Sequence, residues 1–444
     1  MSKMNYFGTD GIRGQVGGDL INTDFIFKLG YAFGVVLNNT NCNPHNKVKV
    51  VIGKDTRISS DMLENSIVEG LISANVDVFL AGVIPTSAIA YISYISNFSA
   101  GIVISASHNH YLDNGIKFFS GNGSKLSLHM EAAIEKEISN PVILYSKKGI
   151  VTKISNIEEK YIDFCKSTFP NNISLKGIKL VIDSANGSAY KIAPYIFNAL
   201  GANVFAIGSN PNGKNINDKI GSIFPDTLKQ VVISKKADLG IAFDGDADRV
   251  LMIDSNGRIF NGDELLYSIV IDRLSYNIVN GVVGTLMTNY GFEKQMHKLH
   301  IKFYRTNVGD RNVIETMKLY NCLYGGENSG HLICLDRHST GDGIISSLQI
   351  LAAIIRHNQS ISSFIKDLYM YPQYIVNVPW NYQYSWEKNN KILIKKQEIE
   401  KKLSNRGRVL IRNSGTEPKL RLMVEAADKN LALSCIQELK SIFD

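Results

Sequence analysis

The sequence predicts an α/β protein built from three similar α/β units in succession, followed by a smaller α+β domain. Three observations carry this. A strand-like run at Val48-Lys-Val-Val-Ile-Gly53, a helix-like stretch from Asp61 to Ala74 and a second strand at Val76-Asp-Val-Phe-Leu80 make a β-α-β rhythm, the grammar of parallel sheet. The rhythm recurs at Lys179-Leu-Val-Ile-Asp183, Tyr190 to Leu200 and Ala202-Asn-Val-Phe-Ala206, and again at Val282-Val-Gly-Thr-Leu286, Phe292 to Leu299 and Ile301-Lys-Phe-Tyr304. After Tyr371-Pro372 the character changes: a strand at Tyr374 to Val378, then Arg408-Val-Leu-Ile-Arg412 and Leu420-Arg-Leu-Met-Val-Glu425 flanking a turn, and a closing amphipathic helix near Leu431 to Ile442. The domains predicted are therefore 1–152, 153–255, 256–370 and 371–444.

At 444 residues the chain exceeds what one core serves, so several domains are expected on length alone. Hydrophobic residues are 44%, yet no apolar stretch approaches the ~20 residues of a membrane helix, which argues against a membrane protein. Met1-Ser-Lys-Met-Asn-Tyr-Phe7 lacks the apolar core of a signal peptide and runs into the Gly-rich stretch Gly8-Thr-Asp-Gly-Ile-Arg-Gly14, so a cytoplasmic location is expected. The five cysteines are scattered with no C-x-x-C pair, which argues against a disulfide framework or a zinc site; reduced, mostly buried thiols are expected. The formal charge of +7 suits an anionic partner. The lysines are dispersed without interleaved aromatics, so that partner is a phosphate ester and not a nucleic acid.

Four loops carry chemistry. In Gly101-Ile-Val-Ile-Ser-Ala-Ser-His-Asn-His110 an apolar strand breaks into small hydroxyl residues, which sets Ser107 at a strand end beside His108, a group able to handle protons or contact an anion. An ordinary polar turn has the same letters; the other three loops supply the context. Asp244-Gly-Asp-Ala-Asp-Arg249 follows the strand Asp238 to Phe243, and in extended chain residues two apart face the same way, so Asp244, Asp246 and Asp248 can converge on one hard cation such as Mg²⁺, a solvated acidic turn being the other reading of the same letters. An EF-hand fails here, because its sixth and twelfth positions are Arg249 and Ser255 instead of Gly and Glu. An aspartate-dependent phosphatase of the haloacid-dehalogenase type, with Asp244 phosphorylated, remains a rival, but it leaves the Ser107 loop unexplained. Arg249 is placed to hold phosphoryl oxygens opposite the metal. In Gly325-Gly-Glu-Asn-Ser-Gly-His331, Glu327 and Ser329 offer groups that read vicinal hydroxyls, with His331 beside them. In Arg412-Asn-Ser-Gly-Thr-Glu-Pro418, Ser414, Gly415 and Thr416 lie between Arg412 and Arg421, which reads either as a backbone nest for phosphate gripped by guanidiniums or as a plain hairpin turn.

Together with Asp113-Asn-Gly-Ile-Lys117 and the stretch around Arg13, these motifs resemble the α-D-phosphohexomutase superfamily along the whole chain. Pro211-Asn-Gly-Lys-Asn-Ile-Asn217 and the doubled glycine before Glu327 make it most similar to the bacterial phosphoglucosamine mutase branch, ahead of the phosphomannomutase and phosphoglucomutase branches. The resemblance implies mixed sheets and four domains around a central cleft. It makes Ser107 a phosphoserine and a Mg²⁺ ligand with Asp244, Asp246 and Asp248, one ion per chain. It makes Glu327 and Ser329 the sugar contacts, and Arg412, Ser414, Gly415, Thr416 and Arg421 the grip on the phosphate that is not transferring. The activity implied is interconversion of glucosamine 6-phosphate and glucosamine 1-phosphate through a glucosamine 1,6-bisphosphate, feeding cell-wall precursor synthesis, in a monomer or homodimer. A phosphosugar-binding protein with a decayed site is the non-catalytic alternative. The proton-handling candidates are Lys117, His108 and Arg13, with Lys117 first on the expectation that burial and neighbouring cations tune it toward neutral pKa. Two departures from the family pattern stand out: His110 where a proline is usual, and Asn328 where a glutamine is usual.

Overall fold

The computed structural model describes residues 4–41, 46–143, 147–381, 385–414 and 418–443. Within them the three β-α-β rhythms become sheets of six, five and four strands that share one four-stranded arrangement. In the first unit the central strand Lys49–Lys54 pairs in parallel with Asp77–Val83 on one side and Ala100–Ile104 on the other, and Ala100–Ile104 turns back into the antiparallel strand Asp113–Ser120. The second unit repeats this with Lys179–Asp183, Asn203–Ile207, Leu239–Phe243 and Val250–Asp254. The third does so with Gly281–Thr285, Lys302–Thr306, Tyr324–Gly326 and Leu332–Cys334. The parallel crossovers and the antiparallel return make each sheet mixed.

This repetition places the chemistry. The turn between the third and fourth strand of each unit is, in order, the Ser107 loop, the Asp244–Arg249 loop and the Glu327–His331 loop, so one structural position has been used three times. The end of each central strand is also built alike. A side-chain oxygen accepts the backbone N–H two residues on: Asp55 from Arg57 at 3.0 Å, Asp183 from Ala185 at 2.9 Å, Thr285 from Met287 at 3.1 Å.

One apolar core runs through all three units, joining Val51, Ile89 and Phe119 of the first to Ile182, Phe197 and Phe243 of the second and Val282, Phe292 and Ile344 of the third. The helix Gly343–Arg356, apolar on nearly every side and capped by Asp342, is buried within it. The C-terminal domain has a separate core around Val378, Ile399, Leu422, Val424 and Cys435, between its sheet Gln373–Pro379, Lys419–Ala426, Gly407–Asn413 and the helices Asn390–Leu403 and Lys429–Lys440. It meets the third unit through polar groups: Arg408 donates to the carbonyls of Leu286 and Thr288 at 2.8 Å each, and the Tyr290 N–H donates to Glu425 at 3.2 Å. Cys165, Cys322, Cys334 and Cys435 are buried free thiols; Cys42 lies outside the described residues.

Candidate active site

The three strand-end loops and the C-terminal hairpin converge on one open cleft of about 520 Å³. Its wall carries Arg13 and His108 from the first unit, Asp248 and Arg249 from the second, Glu327, Ser329 and His331 from the third, and Arg412 from the C-terminal domain. Ser107, Lys117, Asp244 and Asp246 are buried next to that wall.

Ser107 is 1% exposed, and its backbone takes the left-handed region at φ 53°, a conformation costing a non-glycine residue about 1–2 kcal/mol. The loop compensates by fixing the peptide: the Ser107 N–H donates to Ser105 Oγ at 2.9 Å, and Ser105 Oγ donates to Asp55 at 2.7 Å. The Ser107 hydroxyl then points across the unit boundary and donates to Asp244 Oδ2 at 2.5 Å, with His108 Nδ1 3.3 Å away. Burial and the positive charges of Arg249 and Arg13 push His108 down to about 4, so its imidazole is neutral at pH 7.

The ligand oxygens of Asp244, Asp246 and Asp248 all lie within 4.8 Å of one another. The alternation of an extended chain does not achieve this. The segment is a tight turn in which Ala247 has φ 60° and its N–H returns to the Asp244 carbonyl at 3.1 Å; the fold of the loop, not period-two geometry, gathers the carboxylates. Burial and the two neighbouring carboxylates push Asp244 up to about 8, against the opposing pull of Arg249. Asp246 Oδ1 and Asp248 Oδ1 are buried with no hydrogen-bond partner among the described residues. A hard divalent cation fits this donor set of three carboxylates, two of which hold an unused oxygen.

Lys117 corrects an expectation. Its ammonium lies 2.7 Å from Asp246, 3.0 Å from Asp248 and 3.0 Å from Asp10. Burial alone would lower its pKa, but three carboxylates surround it and hold it well above the ordinary lysine value, so a downward tuning by cations is not what this site does. Arg249, despite burial, is likewise held protonated by Asp244, Asp248 and Glu327, and its backbone N–H donates to Asp244 Oδ1 at 3.2 Å. Arg13 pairs with Asp10, which also bridges to Lys125.

The Glu327–His331 loop is the hairpin joining Tyr324–Gly326 to Leu332–Cys334. The N-terminus of the helix Gly262–Leu274 supports it, as the Gly262 N–H donates to the Asn328 carbonyl at 3.0 Å, and the Val250 N–H ties it to the acidic loop through the Gly330 carbonyl at 3.0 Å. A side chain at Gly330 would strike the Val250 carbonyl, and its φ of 94° suits glycine. Glu327 accepts from the Gly309 N–H at 2.9 Å. His331 lies 3.7 Å from both Asp248 and Asp310; burial pulls it down, but these carboxylates and Glu327 raise it to about 9. In the C-terminal hairpin Arg412 lines the cleft and Arg421 stands opposite it on the paired strand. Ser414 is buried at the turn, while Gly415 and Thr416 lie outside the described residues.

His110, the first departure from the family pattern, is exposed with its ring against Tyr111, the centroids 4.5 Å apart. Asn328 lines the cleft. Four residues with no assigned role in the motif reading bear on the site. Asp10 sits in the glycine-rich stretch already singled out. Thr86 donates from Oγ to Asp246 Oδ2 at 2.5 Å and from its N–H to the Asp246 carbonyl at 3.1 Å. Arg57 and Asn217 hold the backbone of the Ser107 loop. A charged residue just past a central strand end was the available signal for Arg57; nothing local marks Thr86.

Four models of the phosphoglucomutase/phosphomannomutase family match the chain in order: alpha/beta/alpha domain I over residues 4–142, domain II over 159–257, domain III over 261–371 and the C-terminal domain over 375–441. The chain is 51% identical over 446 residues to the phosphoglucosamine mutase of Bordetella pertussis, covering 99% of each chain. With the phosphoglucosamine mutase of Herminiimonas arsenicoxydans it shares 50% over 431 residues, 96% of each. Its fold resembles the phosphoglucomutase/phosphomannomutase family protein of Burkholderia thailandensis, with a TM-score of 0.82 at 22% identity over 99% of this chain and 98% of that one. It also resembles the N-acetylphosphoglucosamine mutase of Aspergillus fumigatus, solved with GlcNAc-6P and magnesium, with a TM-score of 0.68 at 15% identity over 100% and 96% of the two chains.

Proposed function

The chain belongs to the phosphoglucomutase/phosphomannomutase family, and on that premise we propose that it is a phosphoglucosamine mutase, interconverting glucosamine 6-phosphate and glucosamine 1-phosphate. The observation that carries the reading is the Ser107 hydroxyl, strained and buried, aimed at a carboxylate triad on the floor of a cleft that all four domains line. The sugar identity is supported by the relatives matched over the whole chain.

In this reading phosphoserine 107 gives its phosphoryl group to O1 of glucosamine 6-phosphate, forming glucosamine 1,6-bisphosphate and a free serine. After the bisphosphate turns in the cleft, the Ser107 hydroxyl takes the 6-phosphoryl group and glucosamine 1-phosphate leaves. Such transfer needs placement and charge neutralisation more than covalent chemistry. Asp244, Asp246 and Asp248 with the Ser107 phosphate would hold one Mg²⁺. When bound, that ion supplies Lewis-acid neutralisation of phosphoryl charge. Arg249 and Lys117, both held cationic, face the same oxygens. His108, neutral and 3.3 Å from Ser107 Oγ, is the nitrogen placed to take the hydroxyl proton, while Lys117 and Arg13, both held cationic, are the candidates to donate one. Glu327 and Ser329 bind sugar hydroxyls in either ring orientation, and Arg412, backed by Arg421, grips the phosphate at rest. The polar seam between the C-terminal domain and the third unit suits closure over ligand and partial opening for the turn. Closure excludes water that would otherwise hydrolyse the phosphoserine.

The test is direct. Protein with Mg²⁺, a trace of glucose 1,6-bisphosphate and glucosamine 6-phosphate should generate glucosamine 1-phosphate, seen by ³¹P NMR. Faster turnover of mannose or glucose 6-phosphate would move the chain to another branch of the family, and release of inorganic phosphate alone would point to a phosphatase.

A further inference from the structure

The segment Pro211–Asn217, distinctive in the sequence, has no part in the chemistry above, yet it ends against the nucleophile. Asn217 Nδ2 donates to the carbonyl of Ser107 at 2.9 Å and to that of Asn109 at 3.1 Å. From the first unit Arg57 Nη2 donates to the same two carbonyls, at 2.9 Å each, while Nη1 reaches the carbonyls of His110 at 2.5 Å and Asp113 at 3.1 Å. Nε of Arg57 is held by Asp55 at 2.8 Å, and both side chains are fully buried. The guanidinium is thus spent on Asp55 and on backbone carbonyls, with nothing left for a substrate. Asn217 is itself fixed, its N–H on the Ala185 carbonyl at 2.9 Å and its backbone at φ 56°, which asparagine tolerates well. No side chain fits between the two: a Cβ at Gly245 would fall 2.6 Å from the Ser107 carbonyl and 2.8 Å from Asn217 Nδ2.

We propose that Arg57 and Asn217 are positioning residues: a clamp from two domains that locks the carbonyls on both sides of His108 and so keeps the Ser107 hydroxyl at one place through both phosphoryl transfers. The clamp is reciprocal, because Thr86 of the first unit holds Asp246 of the second while Asn217 of the second holds Ser107 of the first. It is needed because Ser107 occupies a left-handed conformation in a loop that no proline stiffens, and the intermediate must find the same nucleophile after turning over. The proposal rests on the mutase reading.

The test compares Arg57→Lys, which keeps the charge and loses the fork, and Asn217→Asp, which keeps shape and backbone tolerance and loses the donor, with the double variant. Each single variant should lower kcat about 10- to 100-fold, the scale of a displacement near 1 Å, with KM for glucosamine 6-phosphate unchanged within about twofold. The double variant should be little slower than the slower single one, since both donors act on the same two carbonyls. Circular dichroism and thermal melting report the folded fraction, and a purely structural role would lower the melting temperature while leaving kcat per folded molecule unchanged. Should Arg57→Lys fail to fold, Asn217→Asp decides. A folded Asn217→Asp with wild-type kcat, or losses that add fully in the double variant, overturns the clamp. Wild-type protein assayed alongside separates the two readings: absence of phosphate on Ser107 and of turnover there refutes the mutase reading, and the clamp with it.

Discussion

Arg412 and Arg421 lie directly opposite one another on the antiparallel strands Gly407–Asn413 and Lys419–Ala426, two like charges at facing positions. Such a pair is destabilising unless something neutralises it. Burial, and then Arg421, pull Arg412 below the ordinary arginine value, and Arg421 Nε is buried without a hydrogen-bond partner among the described residues. In the mutase reading, the phosphate that is not transferring would neutralise this pair.

Arg412→Ala should therefore weaken both glucosamine 6-phosphate and glucosamine 1-phosphate, by roughly 10- to 100-fold each, the worth of a charge-assisted paired bond. Because the intermediate would escape before the second transfer, added glucose 1,6-bisphosphate should restore part of the rate. Calorimetric titration of both monophosphates checks this; unchanged affinities for both would reduce the loop to a plain hairpin.

At the opposite wall, Asp246→Asn removes one ligand charge and one of the three carboxylates around Lys117. The expected result is Mg²⁺ affinity lower by about 10- to 100-fold and a steep fall in kcat, with the melting-temperature gain from added Mg²⁺ reduced. Chelator-treated wild-type protein that kept full activity without added metal would contradict the metal role.

A third expectation concerns pH and the shoulder that supports Asn217. Asp183 is fully buried, accepts the N–H groups of Ala185 and Gly221 at 2.9 and 2.8 Å, and is pushed by burial up to about 6. The folded chain therefore binds more protons at this group than the unfolded chain, whose carboxyl titrates near ~3.9. Its contribution is fully present below about pH 4 and declines as pH rises through about 6. Relative to Asp183→Asn, the wild-type melting temperature should fall across that window and run parallel above about pH 7. A constant difference from pH 4 to 7 would show that Asp183 stays ionised throughout.

How legible was this in the sequence? The three β-α-β rhythms and the C-terminal change of pattern were plain, because strand and helix periods are local. The Ser107, Asp244, Glu327 and Arg412 loops were visible because their residue types are uncommon together. What local pattern did not carry was geometry across units. The carboxylates meet through a left-handed turn at Ala247, not through strand alternation. The sequence suggests cations as neighbours for Lys117, but the fold surrounds it with Asp10, Asp246 and Asp248, which lie far from it in the chain. Arg57, Thr86 and Asn217 act on loops in other parts of the sequence, and no spacing rule links residue 217 to residue 107.

The central claim is that Ser107 carries the transferred phosphate, and intact mass with peptide mapping, run beside the turnover assay, tests it most directly. After incubation with glucose 1,6-bisphosphate and Mg²⁺, wild-type protein should gain one phosphate, mapped to Ser107, and turn over glucosamine 6-phosphate. Ser107→Ala should gain none and lose activity while folding normally. Ser105→Ala, which loses the Oγ that receives the Ser107 N–H, should still be phosphorylated, with a loss of about tenfold, the value of roughly one hydrogen bond. Phosphate mapped to Asp244, or near-normal turnover by Ser107→Ala, would contradict the account.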